Sequence, residues 1–142
     1  MTTVREELAW AAGFFDGEGC CGIRSKSGNL YVHISQNDRK VLDRFKQAVG
    51  DVGHVNEFVD NYLNRNGTRF QYQIGSFEGV QAVVVMIWIW LSPIKREQIV
   101  KAFNKYYEFR RDKLGLLYGD ICKNGHDIKI VGLYTVKNGN KV

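Results

Sequence analysis

The sequence predicts an α+β domain in which helices back two β-hairpins that join into one curved, four-stranded antiparallel sheet. Three observations carry that prediction: capping signals ahead of apolar stretches with helical spacing, two pairs of alternating segments separated by Gly- and Asn-containing turns, and a length of 142 residues that suits one domain. Thr3 and Glu6 form a T-x-x-E capping box before an Ala-rich apolar stretch, so a first helix should run from Thr3 to about Asp16, ended by Gly17 and Gly19. Cys20 to Lys26 and Leu30 to Gln36 alternate in character about Ser27-Gly28-Asn29, as a hairpin does. In its second strand Leu30, Val32 and Ile34 share an apolar face, and Tyr31, His33 and Ser35 share the other.

Asp38 is placed to cap a second helix with Val41, Leu42, Phe45, Ala48 and Val49 at helical spacing, and Gly50 to stop it. The second hairpin should pair Gly53 to Val59 with Arg69 to Gly75 across the polar loop Asp60 to Thr68. Ser76 can cap a third helix reaching Leu91, apolar nearly all round from Val80 and so expected to be largely buried. Pro93 separates it from a fourth helix of about Ile94 to Lys113. The folded domain is therefore expected over residues 1–114. Residues 115–142, Gly-rich and weakly periodic, read as a partly mobile C-terminal appendage with at most one short strand, Val131 to Lys137.

Composition excludes several classes. An apolar content of 44% rules out overall disorder, and the nine-residue apolar run Val83 to Leu91 is about half of what a membrane span needs, so no membrane partner is expected. Three cysteines, two of them adjacent, with no C-x-x-C, suit reduced thiols rather than a disulfide framework. Met1 to Glu7 lacks the features of a secretory signal, which predicts an intracellular protein of cytoplasm, nucleoid or organelle. The net charge of +5 is by itself a weak pointer to a polyanionic partner.

The chemistry concentrates in Leu8 to Gly19, LAWAAGFFDGEG. Ala9, Ala12 and Gly13 fall on one helical stripe, which would let a second helix approach closely. Asp16 and Glu18 stand at the C-terminal end of the helix, where its dipole disfavours anions; a bound divalent cation would offset that cost. This segment resembles the signature of the LAGLIDADG homing endonucleases, aligned as Ala11-Ala12-Gly13-Phe14-Phe15-Asp16-Gly17-Glu18-Gly19 and departing from it at Ala11, Gly17 and Glu18. The α-β-β-α-β-β-α order agrees with that family over about Thr3 to Lys113.

The resemblance implies a site-specific double-stranded DNA endonuclease associated with intron or intein mobility. One copy of the motif implies a homodimer, with Ala9, Ala12, Gly13 and Asp16 in the helix–helix interface and a near-palindromic target. It places the metal, Mg²⁺ with Mn²⁺ as a substitute, at Glu18 and the adjacent Gly17, and assigns catalysis to Glu18, Lys95 in LSPIKREQ and Gln36 in VHISQNDRK. The sheet is then expected to enter the major groove. Strand parity nominates Arg24, Lys26, Asn29, Tyr31, His33, Arg69, Gln71 and Gln73 as base readers, with Lys40 and Arg65 as phosphate contacts. Cys122 and His126 resemble the opening half of a zinc tail, but two ligands do not close a tetrahedral site. The alternative is a DNA-binding or intron-RNA maturase module of the same fold that does not cleave.

Overall fold

The computed structural model describes residues 1–60 and 67–114. Arg65, Cys122, His126 and the possible strand at 131–137 lie outside the described residues. By compactness the chain divides into Met1–Phe103 and Asn104–Val142; apart from the bounds of the last helix, everything below concerns the first unit.

The elements follow the expected order: α1 (Val4–Glu18), β1 (Gly19–Ile23), β2 (Leu30–Gln36), α2 (Arg39–Ala48), β3 (His54–Asp60), β4 (Gly67–Ile74), α3 (Phe77–Ile87), a 3-10 turn at Trp88–Trp90, and α4 (Pro93–Leu114). The capping box is formed: the Thr3 hydroxyl accepts from the Glu6 N–H at 3.2 Å and the Glu6 carboxylate accepts from the Thr3 N–H at 2.6 Å. That contact holds the Glu6 carboxyl below its ordinary pKa. Asp38 and Ser76 cap α2 and α3 as the sequence predicts, each accepting a backbone N–H of the first turn.

α1 is longer than expected. Gly17 lies inside it, at a propensity cost of about 1 kcal/mol relative to Ala, and Gly19 ends it in an extended conformation with its N–H bonded to the Phe15 carbonyl. A Cβ on Gly19 would collide with the Phe15 ring, so the helix exit needs glycine for close packing. Glu18 is consequently the last helical residue and leads directly into β1.

The strand order is β1-β2-β4-β3, all antiparallel. Alternation works as read. Leu30, Val32, Ile34, Tyr72 and Ile74 are buried on one face, where α1, α2 and α3 pack against the sheet. Phe45 ties this core together, its ring 6.3 Å from Phe15 and 5.0 Å, edge-on, from Tyr72. The Tyr72 hydroxyl donates to the Val52 carbonyl at 2.7 Å, and burial raises its pKa well above the ordinary tyrosine value.

Two expectations need correction. The first strand stops at Ile23, because Gly28 adopts φ +66° and its N–H closes on the Arg24 carbonyl at 2.7 Å; Lys26 thus sits in the turn and not on a strand face. The third helix is not buried all round. Val80, Val83 and Ile87 face the core, but Val85 is 68% and Ile89 66% exposed. The α-helix also ends at Ile87, and Arg96 satisfies the carbonyls of Trp88 and Ile89 beyond it at 3.0 and 2.9 Å.

Candidate active site and nucleic-acid interface

The two acidic residues of the motif helix have different surroundings. Asp16 accepts from both the Ser92 N–H at 2.9 Å and the Ser92 hydroxyl at 2.8 Å, and the Ser92 oxygen in turn accepts from the Lys95 N–H at 3.2 Å. Its carboxylate therefore sits at the start of α4, where a helix dipole favours an anion. Asp16, expected in a helix–helix interface, is bonded within its own chain. Glu18 is exposed and makes no hydrogen bond or ion pair among the described residues. It lines an open cleft of about 290 Å³ together with Ser35, Gln36, Asn37 and Arg69.

Lys95 is the buried charge of the region. It is 9% exposed, and its ammonium donates to the Gly19 carbonyl at 2.8 Å and lies 5.5 Å from the Phe15 ring. A buried cation is costly unless polar groups hold it. Here it is fixed against the backbone immediately after Glu18. Burial pushes the neighbouring Cys21 thiol up to about 12, Cys20 adds to the rise and the Lys95 charge opposes it, so Cys21 stays a neutral packing residue.

The donor set suits a hard cation. Among the described residues no three His, Cys, Asp or Glu cluster as a closed metal cage. Glu18, with the backbone of Gly17 beside it, offers one exposed carboxylate, which is the sparse protein ligation that Mg²⁺ accepts when phosphate oxygens and waters complete it.

The polar face of the sheet collects most of the nominated readers. His33 is opposite Gln73, Ser35 opposite Gln71, and Tyr31 opposite Gly22. A groove of about 620 Å³ runs along this face, lined by Arg24, Lys26, Tyr31, His33, Gln71 and Gln73 among others. Arg69 belongs to the same face but sits in the Glu18 cleft. Asn29 lies in the turn with its N–H bonded to the Ser27 hydroxyl at 3.3 Å, and Lys40 is exposed in the first turn of α2. Burial, reinforced by the Arg24 charge, lowers the His33 pKa.

The sequence places the third strand at about Gly53 to Val59 but nominates no base reader on it. Register puts His54 opposite Gln73, Asn56 opposite Gln71 and Phe58 opposite Arg69, so all three point to the polar face. Edge position explains the omission: β3 buries neither face well, and its alternation of residue types is too weak to reveal which side is outward.

A model of the LAGLIDADG-like domain matches residues 5–104. The chain belongs to that family. No curated protein sequence matches. The LAGLIDADG chain is similar in structure to the homing endonuclease I-CvuI in complex with its target (Sro1.3) with 2 mM Ca, at 20% identity, TM-score 0.53 and 98% coverage of both chains. It is also similar to I-CvuI on the I-CreI target (C1221) with 2 mM Mg, where the DNA is not cleaved, at 20% identity, TM-score 0.55 and 98% coverage of both. The LAGLIDADG homing endonuclease I-GzeII in complex with its DNA target matches 87% of this chain and 47% of its own, at 15% identity and TM-score 0.54. These likenesses show the fold.

On the LAGLIDADG helix the small residues are not equivalent. Ala12 is fully buried in the core of its own chain, together with Ala11. Ala9 is half-buried, whereas Gly13 and Gly17 are exposed, and a Cβ built on either would meet nothing within 4 Å. The surface left for another helix is thus Ala9, Gly13 and Gly17, one stripe at i, i+4, i+8. Among the described residues, no helix is long and apolar enough to cross a membrane.

Proposed function

We propose that this protein is a site-specific endonuclease that cuts both strands of double-stranded DNA as a homodimer with Mg²⁺. The observation that carries the reading is the exposed, unpaired Glu18 at the end of the LAGLIDADG helix, beside a buried lysine and at one end of a polar sheet face. The DNA complexes among the structural neighbours support it.

Packing along Ala9, Gly13 and Gly17 would bring the Glu18 carboxylates of two copies together about a two-fold axis. Glu18 and the Gly17 backbone would hold the metal, which would supply activation of water and charge stabilisation at the leaving oxygen. Lys95 keeps a fixed positive charge at the Glu18–Gly19 junction, where it favours the negative charge that develops on the phosphate. Gln36 orients water in the Glu18 cleft, and Arg69 binds the phosphate backbone there. Gln71, Gln73, Asn56 and His33 lie on the polar sheet face with amide or imidazole edges suited to bases, Gln and Asn to adenine.

Selection of cleaved sites from a randomised DNA pool tests this reading. The expected product is one near-palindromic site cut with Mg²⁺ and bound without cutting in Ca²⁺. Enrichment by binding with no cutting in Mg²⁺ or Mn²⁺ would contradict cleavage and turn the assignment to a recognition module, with intron RNA as the next ligand.

A further inference from the structure

The end of the sheet away from Glu18 holds a stacked array. The rings of Tyr31 and His33 lie parallel within 8° at 5.3 Å, and the Arg24 guanidinium is 5.5 Å from the centroid of the Tyr31 ring, within cation–π range. Tyr31 lies across β1, over Gly22: a Cβ on Gly22 would stand 2.7 Å from the Tyr31 hydroxyl oxygen and 2.9 Å from its ring. The Cys20 sulfur is 4.0 Å from the same hydroxyl. The Arg24 backbone is held on both sides, its N–H on the Asn29 carbonyl at 2.9 Å and its carbonyl on the Gly28 N–H at 2.7 Å.

An exposed arginine on a turn ordinarily samples many rotamers and loses that freedom on binding. Here glycine clears a seat for an aromatic ring, and the ring supplies a surface for the guanidinium and the imidazole. The whole array opens into the groove that also contains Gln73.

We propose that Tyr31 is a positioning residue: its ring, seated over Gly22, pre-orders Arg24 to read a guanine and His33 to read the adjoining base edge. This rests on the DNA-binding function proposed above. A guanidinium fork matches guanine O6 and N7, whereas Tyr31 acts through its neighbours and not through its own hydroxyl. Gly22 belongs to the same device, although it has no side chain with which to touch DNA.

The test is base preference, measured by binding selection in Ca²⁺ for the full chain and the variants Tyr31→Ala, Tyr31→Phe and Gly22→Ala. The wild type should prefer guanine at one position of the site by about tenfold or more, and 7-deazaguanine there, which lacks N7, should lower affinity several-fold. Tyr31→Ala and Gly22→Ala should shrink the preference to about twofold or less, while Tyr31→Phe keeps it and binding to random DNA is unchanged, as phosphate contacts are untouched. Should Gly22→Ala fail to fold, the two Tyr31 variants decide. Full guanine preference in Tyr31→Ala, or its loss in Tyr31→Phe, overturns the proposal. So does indifference to 7-deazaguanine combined with a shallower salt dependence in Arg24→Ala, which would make Arg24 a phosphate contact. Absence of any DNA binding by the wild type at low salt would overturn the proposed function itself, a result distinct from the others.

Discussion

The two ends of the sheet are built by different means. At the Glu18 end, Ser92 and Lys95 reach Asp16 and Gly19 across 76 residues of chain. At the Arg24 end the parts lie within one hairpin, Gly22 to His33. A site for chemistry needs its groups held in a fixed geometry, and here bonds between distant elements hold them. A site for reading needs exposed side chains on a short ribbon, where one substitution alters one contact. Damage at the first end should therefore spread into stability and catalysis together, and damage at the second should change preference alone.

The largest expected effect separates these ends. Lys95→Met removes the ammonium from the Gly19 carbonyl, and cleavage at the selected site should fall by about 10²-fold or more, as for removal of a preorganised electrostatic group, while DNA affinity in Ca²⁺ changes little. An equal loss of binding would place Lys95 at the DNA surface.

Asp16→Ala comes next. It leaves the Ser92 N–H and hydroxyl without their charged acceptor and should cost about 2–3 kcal/mol in urea unfolding, with a loss of cleavage that Asp16→Asn partly restores. A stability unchanged within error would mean that the bonds to Ser92 contribute nothing. Gly13→Leu sharpens the contrast differently. The protomer has room at that position, so the variant should fold but sediment near 16.3 kDa rather than twice that mass. A persistent dimer would put the interface elsewhere.

Much of the fold was legible because its determinants are local. Thr3 with Glu6, Asp38 and Ser76 cap the helices they were expected to cap, and parity in β2 and β4 sorted core from polar face without error. What sequence could not supply is long-range. Nothing near Asp16 announces Ser92, and without that partner Asp16 was assigned to a helix–helix interface and not to a bond within its own chain. Lys26 was read by parity along a strand that Gly28 in fact ends early. Val85 in α3 and Ile89 in the turn after it are apolar yet exposed, so composition alone predicted a burial that the structure does not show.

The smallest expected effect is pH-dependent and belongs to the reading end. His33 has a folded pKa below the ordinary 6.5 because of burial and Arg24, so the folded state binds its proton less readily than the unfolded chain. Its contribution to stability is then complete above about pH 6.5 and is lost as pH falls through the window between that value and the folded pKa. Urea melts from pH 7.5 to 5.5 should show a shallow decline that His33→Gln flattens. An identical slope in the variant would assign the decline to other groups.

The most direct test of the account compares wild type and Glu18→Gln on the selected site, measuring binding in Ca²⁺ and cleavage in Mg²⁺ side by side. The expected result is affinity within about twofold, since a carboxamide of the same shape leaves the sheet's phosphate and base contacts intact, with cleavage reduced to background. Cleavage by Glu18→Gln at the wild-type rate would contradict the assignment of the exposed carboxylate as the centre of the chemistry.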